Sequence, residues 1–200
     1  EEEINKIKKI LNIDIKSYKE KEPLGECGAL WKVKDLLSNE ILFVNGDIIF
    51  SIDILRLYKF HQEISSDITI VTHTSTHPFD SDLLSAPNGS LIKDIYPKNL
   101  KRDKCLSGYL GNTGIACINK NILNSLGAPE SIKNSSIFNH IVVKALSKKI
   151  RIFSYNTSEY IKDMGTPERF NKVNKDIKSG LVNIKNFKNK QKALFLDRDN

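Results

Sequence analysis

The sequence predicts an α/β protein, with helices packed against a largely parallel β-sheet. Segments rich in β-branched and aromatic residues alternate with segments whose apolar residues recur at helical spacing. The nearly continuous apolar run ILFVNGDIIF, residues 41–50, is typical of a strand buried on both faces of a parallel sheet. The length of 200 residues, with 40% hydrophobic and 28% charged residues, suits one globular domain with a short appendage.

Each predicted helix and strand follows from its local pattern. The last helix has the clearest limits, because Pro167 stands in its first turn and Gly180 at its far end. Residues 78–104 are polar and contain Pro, which favours an excursion with short strands. The predicted helices are 1–11, 28–38, 52–63, 121–126, 135–148 and 166–180. The predicted strands are 13–18, 41–50, 67–74, the end of 111–119, 150–156 and 158–162.

Composition narrows the class of ligand. The net charge is +7, but the lysines are scattered along the chain and are not gathered with aromatic residues into a stripe. We therefore expect no nucleic-acid partner, and small anionic ligands such as phosphates are favoured. No apolar run approaches the roughly 20 residues that cross a membrane, and no secretory signal is visible. The three widely spaced cysteines lack a zinc pattern and predict reduced thiols in a cytoplasmic protein.

Three loops that follow predicted strands are candidate sites, because open α/β sheets bind ligands beyond the carboxyl ends of their strands. The first is EKEPLGECGAL, residues 20–30. Pro23 fixes the chain there, and Gly25 and Gly28 let a flat group approach the backbone. The alternative is a plain helix entry with Gly at its cap. Cys27 in this stretch is interpreted as a small buried filler.

The other two loops each carry an aspartate next to a glycine. Asn45-Gly46-Asp47 interrupts the apolar run, where an unpaired carboxylate is costly to bury, and Asp163 precedes the last helix. Each aspartate has the alternative role of capping a helix. Together, two carboxylates on separate strand ends can hold one Mg²⁺, which prefers one or two carboxylates plus phosphate oxygens and water. That combination fits phosphoryl or nucleotidyl transfer, with a nucleobase held by the Gly turn.

Four segments resemble, in the same order, the motifs of the sugar-phosphate nucleotidylyltransferases. They are EKEPLGECGAL, VNGD, NTGIACIN and DMGTPERF, and the resemblance covers about residues 1–180. It implies a Rossmann-like three-layer sandwich with a mostly parallel mixed sheet. It also implies an in-line reaction, in which a sugar 1-phosphate oxygen attacks the α-phosphorus of a nucleoside triphosphate and pyrophosphate leaves. Catalysis would consist mainly of positioning and charge neutralisation.

The resemblance also implies roles for individual residues. The base-binding turn would comprise Glu20, Pro23, Leu24, Gly25 and Gly28. Asp47 and Asp163 would be catalytic Mg²⁺ ligands, with Asn45 and Gly46 beside the first of them. Asn112 and Gly114 would line the sugar pocket, and Lys98 would stand near the sugar phosphate. The sequence departs from the family pattern at Glu26-Cys27, in place of Thr-Ala, and at Thr113, in place of Ala. These departures affect the shape of the base and sugar pockets.

Two features suggest a fragment of a longer protein. The family's first strand and its Gly-rich G-x-G-T-R-L loop are not found, so we expect residues 1–180 to be an incomplete nucleotidylyltransferase domain, inactive and poorly folded alone. Residues 181–192, basic and weakly patterned, are predicted to be a linker. ALFLDRDN, residues 193–200, resembles the first strand of haloacid-dehalogenase-like phosphatases, with Asp197 as nucleophile and Mg²⁺ ligand and Asp199 as acid/base; the alternative is a charged turn.

This combination resembles the bifunctional enzymes of activated-heptose synthesis, as does HPFDSDLL at 77–84, which can also be a surface turn. The implied substrates are GTP and D-glycero-D-manno-heptose 1-phosphate. Nucleoside triphosphate and sugar 1-phosphate are the expected partners, without nucleic acid or membrane, and assembly into a homo-oligomer is left open. Two alternatives remain. One is a non-catalytic regulatory subunit that binds nucleotide-sugars, and the other is a protein whose main activity is the downstream phosphatase.

Overall fold

The computed structural model describes residues 2–74, 81–97, 110–129 and 136–192. The helices are α1 Glu2–Leu11, α2 Gly25–Lys32, α3 Ile54–Glu63, α4 Lys120–Leu126, α5 Val143–Ser147, α6 Pro167–Lys178 and α7 Leu181–Ile184. A 3₁₀ turn at Lys34–Leu36 follows α2, and a π-helix at Ile137–Val142 leads into α5. The strands are β1 Glu40–Val44, β2 Ile48–Ser51, β3 Ile68–Thr74, β4 Leu83–Ser85, β5 Asp94–Tyr96, β6 Leu110–Asn119, β7 Ile152–Asn156 and β8 Tyr160–Asp163.

The main sheet confirms the α/β class and the mixed sheet, but the expectation of mostly parallel pairing was wrong. Its strands lie in the order β5-β4-β6-β3-β7, and β1 also pairs with β6. In the described part of the chain only β3 and β7 pair in parallel; β6 runs antiparallel to β1, β3 and β4. The central strand β6 runs opposite to three neighbouring strands, and α4 begins directly after it at Lys120. Hydrophobic periodicity reports burial, and it carries no information on strand direction.

The apolar run 41–50 forms two strands rather than one, which corrects the prediction of a single buried strand. Asn45-Gly46-Asp47 makes a turn, after which the chain leaves the main sheet. β2 then pairs antiparallel with β8 to form a separate two-stranded ribbon, with Ile48 opposite Asp163. Asp47 is consequently exposed in a turn and is not buried in a strand. We call this two-stranded unit, β2 with β8, the ribbon.

The predicted strand at 13–18 was also wrong. That segment is irregular, and Ile13 and Tyr18 are each about half exposed, at 50% and 49%. An alternating pattern stabilises a strand only where a neighbouring strand and a buried face support it. The predicted helix at 28–38 begins earlier, at Gly25, and ends in the 3₁₀ turn.

Two apolar clusters pack against opposite faces of the main sheet, which produces the predicted layered arrangement. The larger cluster joins the sheet to α2, α4, the π-helix and α5, with Leu123, Phe138 and Ile141 buried at its centre. The smaller cluster joins the other face to α3 and the ribbon, around Leu57 and Val71. Among the described helices, none is both long enough and apolar enough to cross a membrane.

Residues 181–192, interpreted as a linker, form α7 and a turn that packs on the ribbon. Asn186 Nδ2 donates a hydrogen bond to Ser51 Oγ at 3.1 Å, and the Phe187 N–H donates to Glu159 at 2.9 Å. Arg56 of α3 lies over the Phe187 ring, 5.0 Å from its centroid. The segment is therefore attached to the domain, and its role as a connection to a second domain stays a prediction.

Candidate active site

The ribbon brings the two predicted carboxylates together. Asp47 directly precedes β2 and Asp163 ends β8, and the Met164 N–H donates to the Asp47 carbonyl at 2.8 Å. Both carboxylates point toward Gly165. A Cβ placed on Gly165 would lie 3.5 Å from Asp163 Oδ1 and 3.8 Å from Asp47 Oδ2. The glycine therefore leaves a gap between two carboxylate oxygens that come from strands far apart in the sequence.

Asp163 also binds a cation supplied by the protein. Arg169, in the first turn of α6, donates from a guanidinium N–H to Asp163 Oδ1 at 2.6 Å, and the Gly165 N–H donates to the same oxygen at 3.3 Å. Partial burial raises the pKa of the Asp163 carboxyl, but these hydrogen bonds and the Arg169 charge outweigh it, so the pKa lies below its ordinary value. Asp163 is therefore ionised at neutral pH.

Asn45 and Gly114 join the ribbon to the main sheet. The Asn45 N–H donates to the Gly114 carbonyl at 3.0 Å. Gly114 has φ +76, and a Cβ there would come within 2.8 Å of both Asn45 Nδ2 and Ile48 Cδ1. A glycine is thus required both by the backbone conformation and by the close approach. The buried Asn45 Oδ1 has no hydrogen-bond partner among the described atoms.

Asn112 and Thr113 shape the irregular start of β6. Asn112 Oδ1 accepts from the Gly114 N–H at 3.1 Å, and the Thr113 hydroxyl donates to the Val71 carbonyl at 2.7 Å. The register between β3 and β6 shifts at this point, so β6 carries a bulge. The structure thus gives Thr113, a departure from the family pattern, a structural role in holding the bulge against β3.

The glycine turn lies on the opposite face of the sheet from the ribbon. The Leu24 N–H donates to the Glu20 carboxylate at 3.0 Å, which closes the turn that Pro23 occupies. Gly25, with φ +73, begins α2, and Gly28 is buried within that helix. The turn leads into α2, which packs in the larger apolar cluster, whereas the ribbon beside Asp47 and Asp163 packs on the smaller cluster. The base-binding role of these five residues therefore stays a prediction.

The departures at Glu26 and Cys27 have structural explanations. Glu26 Oε2 accepts from the Ile137 N–H at 3.3 Å, so this side chain satisfies the first residue of the π-helix. Cys27 is fully buried in the larger apolar cluster. Burial, followed by the Glu26 charge, raises the pKa of the Cys27 thiol to about 12. The thiol therefore stays protonated and unreactive, in agreement with its interpretation as a buried filler.

Some predicted residues cannot be placed, and two were missed. Lys98, Asp197, Asp199 and the first part of the 77–84 stretch lie outside the described residues. Sequence reasoning did not single out Arg169 or Gly165. Both residues belong to the DMGTPER motif. Two features of the motif could have indicated them: a glycine two residues after Asp163, and an arginine in the first turn of the following helix.

The described residues fit a magnesium ion that is shared with phosphates. They contain no cluster of three or more His, Cys, Asp or Glu side chains that could enclose a metal. They do contain two carboxylates that face one gap, at Gly165. Mg²⁺ commonly takes one or two protein carboxylates and completes its shell with phosphate oxygens and water.

Comparisons with known proteins place the fold. The chain matches no protein-family profile. A Bacillus anthracis protein, assigned as a glucose-1-phosphate thymidylyltransferase and solved with a sucrose, superimposes with a TM-score of 0.70 at 19% identity, over 84% of this chain and 66% of that one. HddC from Yersinia pseudotuberculosis superimposes with a TM-score of 0.61 at 19% identity, over 86% of this chain and 73% of that one. The fold is that of nucleotidyltransferases.

Curated relatives indicate which class of nucleotidyltransferase the chain resembles in sequence. A glucose-1-phosphate adenylyltransferase from Mycoplasma mobile is 29% identical over 154 residues, 74% of this chain and 38% of that protein. The D-glycero-alpha-D-manno-heptose 1-phosphate guanylyltransferase of Campylobacter jejuni is 26% identical over 161 residues, 80% of this chain and 66% of that protein. The chain thus spans less than two thirds of either relative. It is similar in sequence to sugar-1-phosphate nucleotidylyltransferases, which agrees with the resemblance of its four motifs.

Proposed function

We propose that the chain is part of an enzyme that transfers a nucleotidyl group from a nucleoside triphosphate to a sugar 1-phosphate and releases pyrophosphate. The observation that carries this proposal is the convergence of the Asp47 and Asp163 carboxylates on the gap at Gly165. Two residues more than 100 positions apart meet there because β2 and β8 pair. The homologues named above catalyse transfers of this class according to their names.

In this proposal Asp47 and Asp163 hold Mg²⁺. The bound metal would neutralise charge on the phosphates and help to orient them. Other residues of the chain would position the two carboxylates. The bulge at Asn112–Gly114 places the Gly114 carbonyl where the Asn45 N–H donates to it, two residues before Asp47. Gly165 leaves space between the carboxylates. The Met164 N–H fixes the Asp47 backbone, so that its side chain faces the gap.

We further propose GTP and D-glycero-D-manno-heptose 1-phosphate as the substrates. The relative from Campylobacter jejuni carries both in its name, and the HddC structure has also been solved with GMP-PN bound. A mannose-1-phosphate guanylyltransferase from Mycobacterium tuberculosis, 24% identical over 175 residues, supports guanine but a different sugar. The Mycoplasma mobile relative carries an adenylyl name, so base and sugar must be tested together.

A non-catalytic regulatory subunit is the second candidate, and one observation favours it. Arg169 already occupies Asp163 Oδ1 at 2.6 Å, as an internal cation would in a site that no longer binds metal. In the transferase, the Arg169 guanidinium must instead share or release this carboxylate. Substrate turnover separates the two candidates.

The test is pyrophosphate release by the complete gene product, with Mg²⁺, each nucleoside triphosphate and a panel of sugar 1-phosphates. We expect release with one pair, reduced by about 100-fold or more in Asp47→Asn and in Asp163→Asn. Asp35→Asn, an exposed carboxylate on the 3₁₀ turn, is the matched control and should retain full activity. Nucleotide-sugar binding without release from any pair would overturn the transferase in favour of the regulatory subunit.

A further inference from the structure

A polar cavity of about 530 Å³ lies beside the ribbon, away from the carboxylate pair. Its walls come from the ends of β3 and β7, from the turn at 156–159, from β8 and from the segment after α7. Neither Asp47 nor Asp163 lines it. Because neighbouring residues of a strand point to opposite faces, the Lys162 side chain lies on the other face of β8 from Asp163. We call this space the basic cavity.

The basic cavity carries cationic groups that have no protein partner in the described part of the chain. Lys162 and Lys185 both line it, and neither ammonium has an ion-pair or hydrogen-bond partner among the described residues. His73 lines it from the end of β3. Burial, and then the Lys162 charge, lowers the pKa of His73. A neutral imidazole and two lysine side chains therefore line the same space.

The acidic residue in the wall of the basic cavity, Glu159, already has hydrogen-bond donors from the protein. The Glu159 carboxylate is buried and accepts hydrogen bonds from the Asp53 N–H at 2.8 Å, the Phe187 N–H at 2.9 Å and the Thr157 hydroxyl at 3.0 Å. The Tyr160 hydroxyl is turned away as well, since it donates to Asp176 at 2.9 Å. Glu159 thus has three protein donors, whereas Lys162 and Lys185 line the cavity and are exposed.

We infer that the basic cavity is a binding site for a phosphate-bearing small molecule, held by Lys162, Lys185 and His73. Ammonium groups bind phosphate as point charges, and charge-assisted hydrogen bonds of this kind are stronger than neutral ones. The volume is in the range of small-molecule sites. The phosphate could belong to the sugar substrate or to a separate metabolite that modulates the enzyme. The site itself does not rest on the proposed function.

The test uses inorganic phosphate as the probe and NMR of the complete protein, labelled with ¹³C-histidine. The His73 resonance, assigned through His73→Gln, should shift on titration, while the buried His61 and the helical His140 should not. Lys162→Gln combined with Lys185→Gln should weaken phosphate binding by at least about tenfold. Lys172→Gln, an exposed lysine on α6, is the control and should leave binding unchanged.

Three results would overturn the inference. The first is a His73 resonance that does not move with phosphate at matched ionic strength, and the second is an equal shift in the double lysine variant. Equal movement of all histidines would also overturn it, because that is a bulk salt effect. Circular dichroism of each variant shows that it is folded.

A kinetic measurement distinguishes the two sources of phosphate, and this arm alone rests on the proposed function. If the phosphate belongs to the sugar substrate, Lys162→Gln should raise the KM for the sugar 1-phosphate with little change in kcat. If it belongs to a separate metabolite, the KM should stay constant, and any effect of added phosphate on the rate should disappear in the variant. If there is no turnover at all, the proposed function fails while the NMR result for the cavity still stands.

Discussion

The main sheet and the ribbon are held in place by different interactions. The sheet is covered on one face by a large cluster of fully buried apolar side chains, including Leu123, Phe138 and Ile141. The ribbon has a smaller apolar contact, and it is also joined to its surroundings by a few specific hydrogen bonds. These include the bonds of Glu159, the Tyr160–Asp176 bond and the backbone bond from Asn45 to Gly114.

We expect the apolar packing of the sheet to determine mainly the stability of the fold, and the hydrogen bonds at the ribbon to determine mainly the geometry of the candidate site. Apolar burial is non-directional, and its contribution to stability scales with the area removed from water. Hydrogen bonds are directional, and those at the ribbon fix the positions of Asp163, at the end of β8, and of Asp47, directly before β2. Functional elements are commonly drawn from the less stable parts of a fold. Substitutions in the two regions should therefore produce effects of different size and kind.

The largest loss of stability is expected from the core of the sheet. Leu123→Ala removes a fully buried side chain from α4 and should lower the free energy of unfolding by about 2–5 kcal/mol. Urea unfolding followed by circular dichroism measures this change. Leu55→Ala, on α3 with 70% of the residue exposed, is the control and should change stability by no more than about 0.5 kcal/mol. Equal effects of the two substitutions would contradict this view of the core.

The contact between sheet and ribbon comes next. Gly114→Ala should cost about 1–3 kcal/mol, because φ +76 is strained for alanine and its Cβ would press on Asn45 and Ile48. Gly180→Ala is a matched control, since Gly180 has φ +77 but nothing within 4 Å of a Cβ. The difference between the two variants in urea unfolding isolates the steric contact. If both lose the same stability, Gly114 is needed only for its backbone conformation.

Next to the ribbon, at the residue before β8, Glu159→Gln should cost about 1–3 kcal/mol. The Asp53 and Phe187 N–H groups, which share one carboxylate oxygen, would donate to a neutral and weaker acceptor. The NH₂ group would face the Thr157 hydroxyl, which now donates to the other oxygen. Hydrogen exchange should accelerate at the Asp53 and Phe187 amides and remain slow in β3. The control is Glu63→Gln, whose carboxylate makes an exposed 3.7 Å ion pair with Lys59. Unchanged exchange at Phe187 would rule out Glu159 as the anchor of the segment after α7.

The smallest effect on stability should come from Arg169→Gln. The pair with Asp163 is about half exposed, so its loss should cost no more than about 1 kcal/mol. Without the Arg169 guanidinium, the pKa of Asp163 should rise toward its ordinary value. A depressed carboxyl pKa stabilises the fold above the unfolded-state pKa, and this contribution is lost as the pH falls through the folded-state value. The variant should therefore lose less stability on acidification.

The same variant tests competition for the carboxylate. Removing a positive charge next to Asp163 should raise the affinity for Mn²⁺, measured by electron paramagnetic resonance without substrates, by a factor of about three to ten. Arg151→Gln, whose guanidinium donates to the Ile64 carbonyl, is the control. Equal Mn²⁺ affinity in the wild type and the Arg169 variant would show that the ion pair does not compete with metal.

Local sequence patterns predicted much of the fold. α3, β3, β7 and α6 were found near their limits, because their periodicity or caps agree with their final surroundings. The direction of β6 could not be predicted, since a central strand is buried alike between parallel or antiparallel neighbours. The interruption of the predicted strand at residues 45–47 could be inferred from Asn-Gly-Asp, which is a typical turn sequence. The apolar residues on both sides of it favoured the prediction of one continuous strand.

The sequence likewise predicted some features of the candidate site and not others. The motifs placed Asp47 and Asp163 together, and the structure supports that convergence at Gly165. The ion pair with Arg169 depends on how α6 leaves β8, a three-dimensional relation that no spacing rule contains. The basic cavity arises from residues 73, 162 and 185, which belong to three separate elements and share no local pattern.

Pairing of β2 with β8 also sets an order of events during synthesis. Residues 48–51 must wait for residues 160–163 before the ribbon can form. Closing so long a loop is entropically expensive and slow compared with forming local helices. At 5–20 residues per second, a ribosome takes roughly ten seconds to travel from one aspartate to the other. The carboxylate pair is thus among the last features of the domain to assemble, and a nascent chain cannot bring the two carboxylates together before that time.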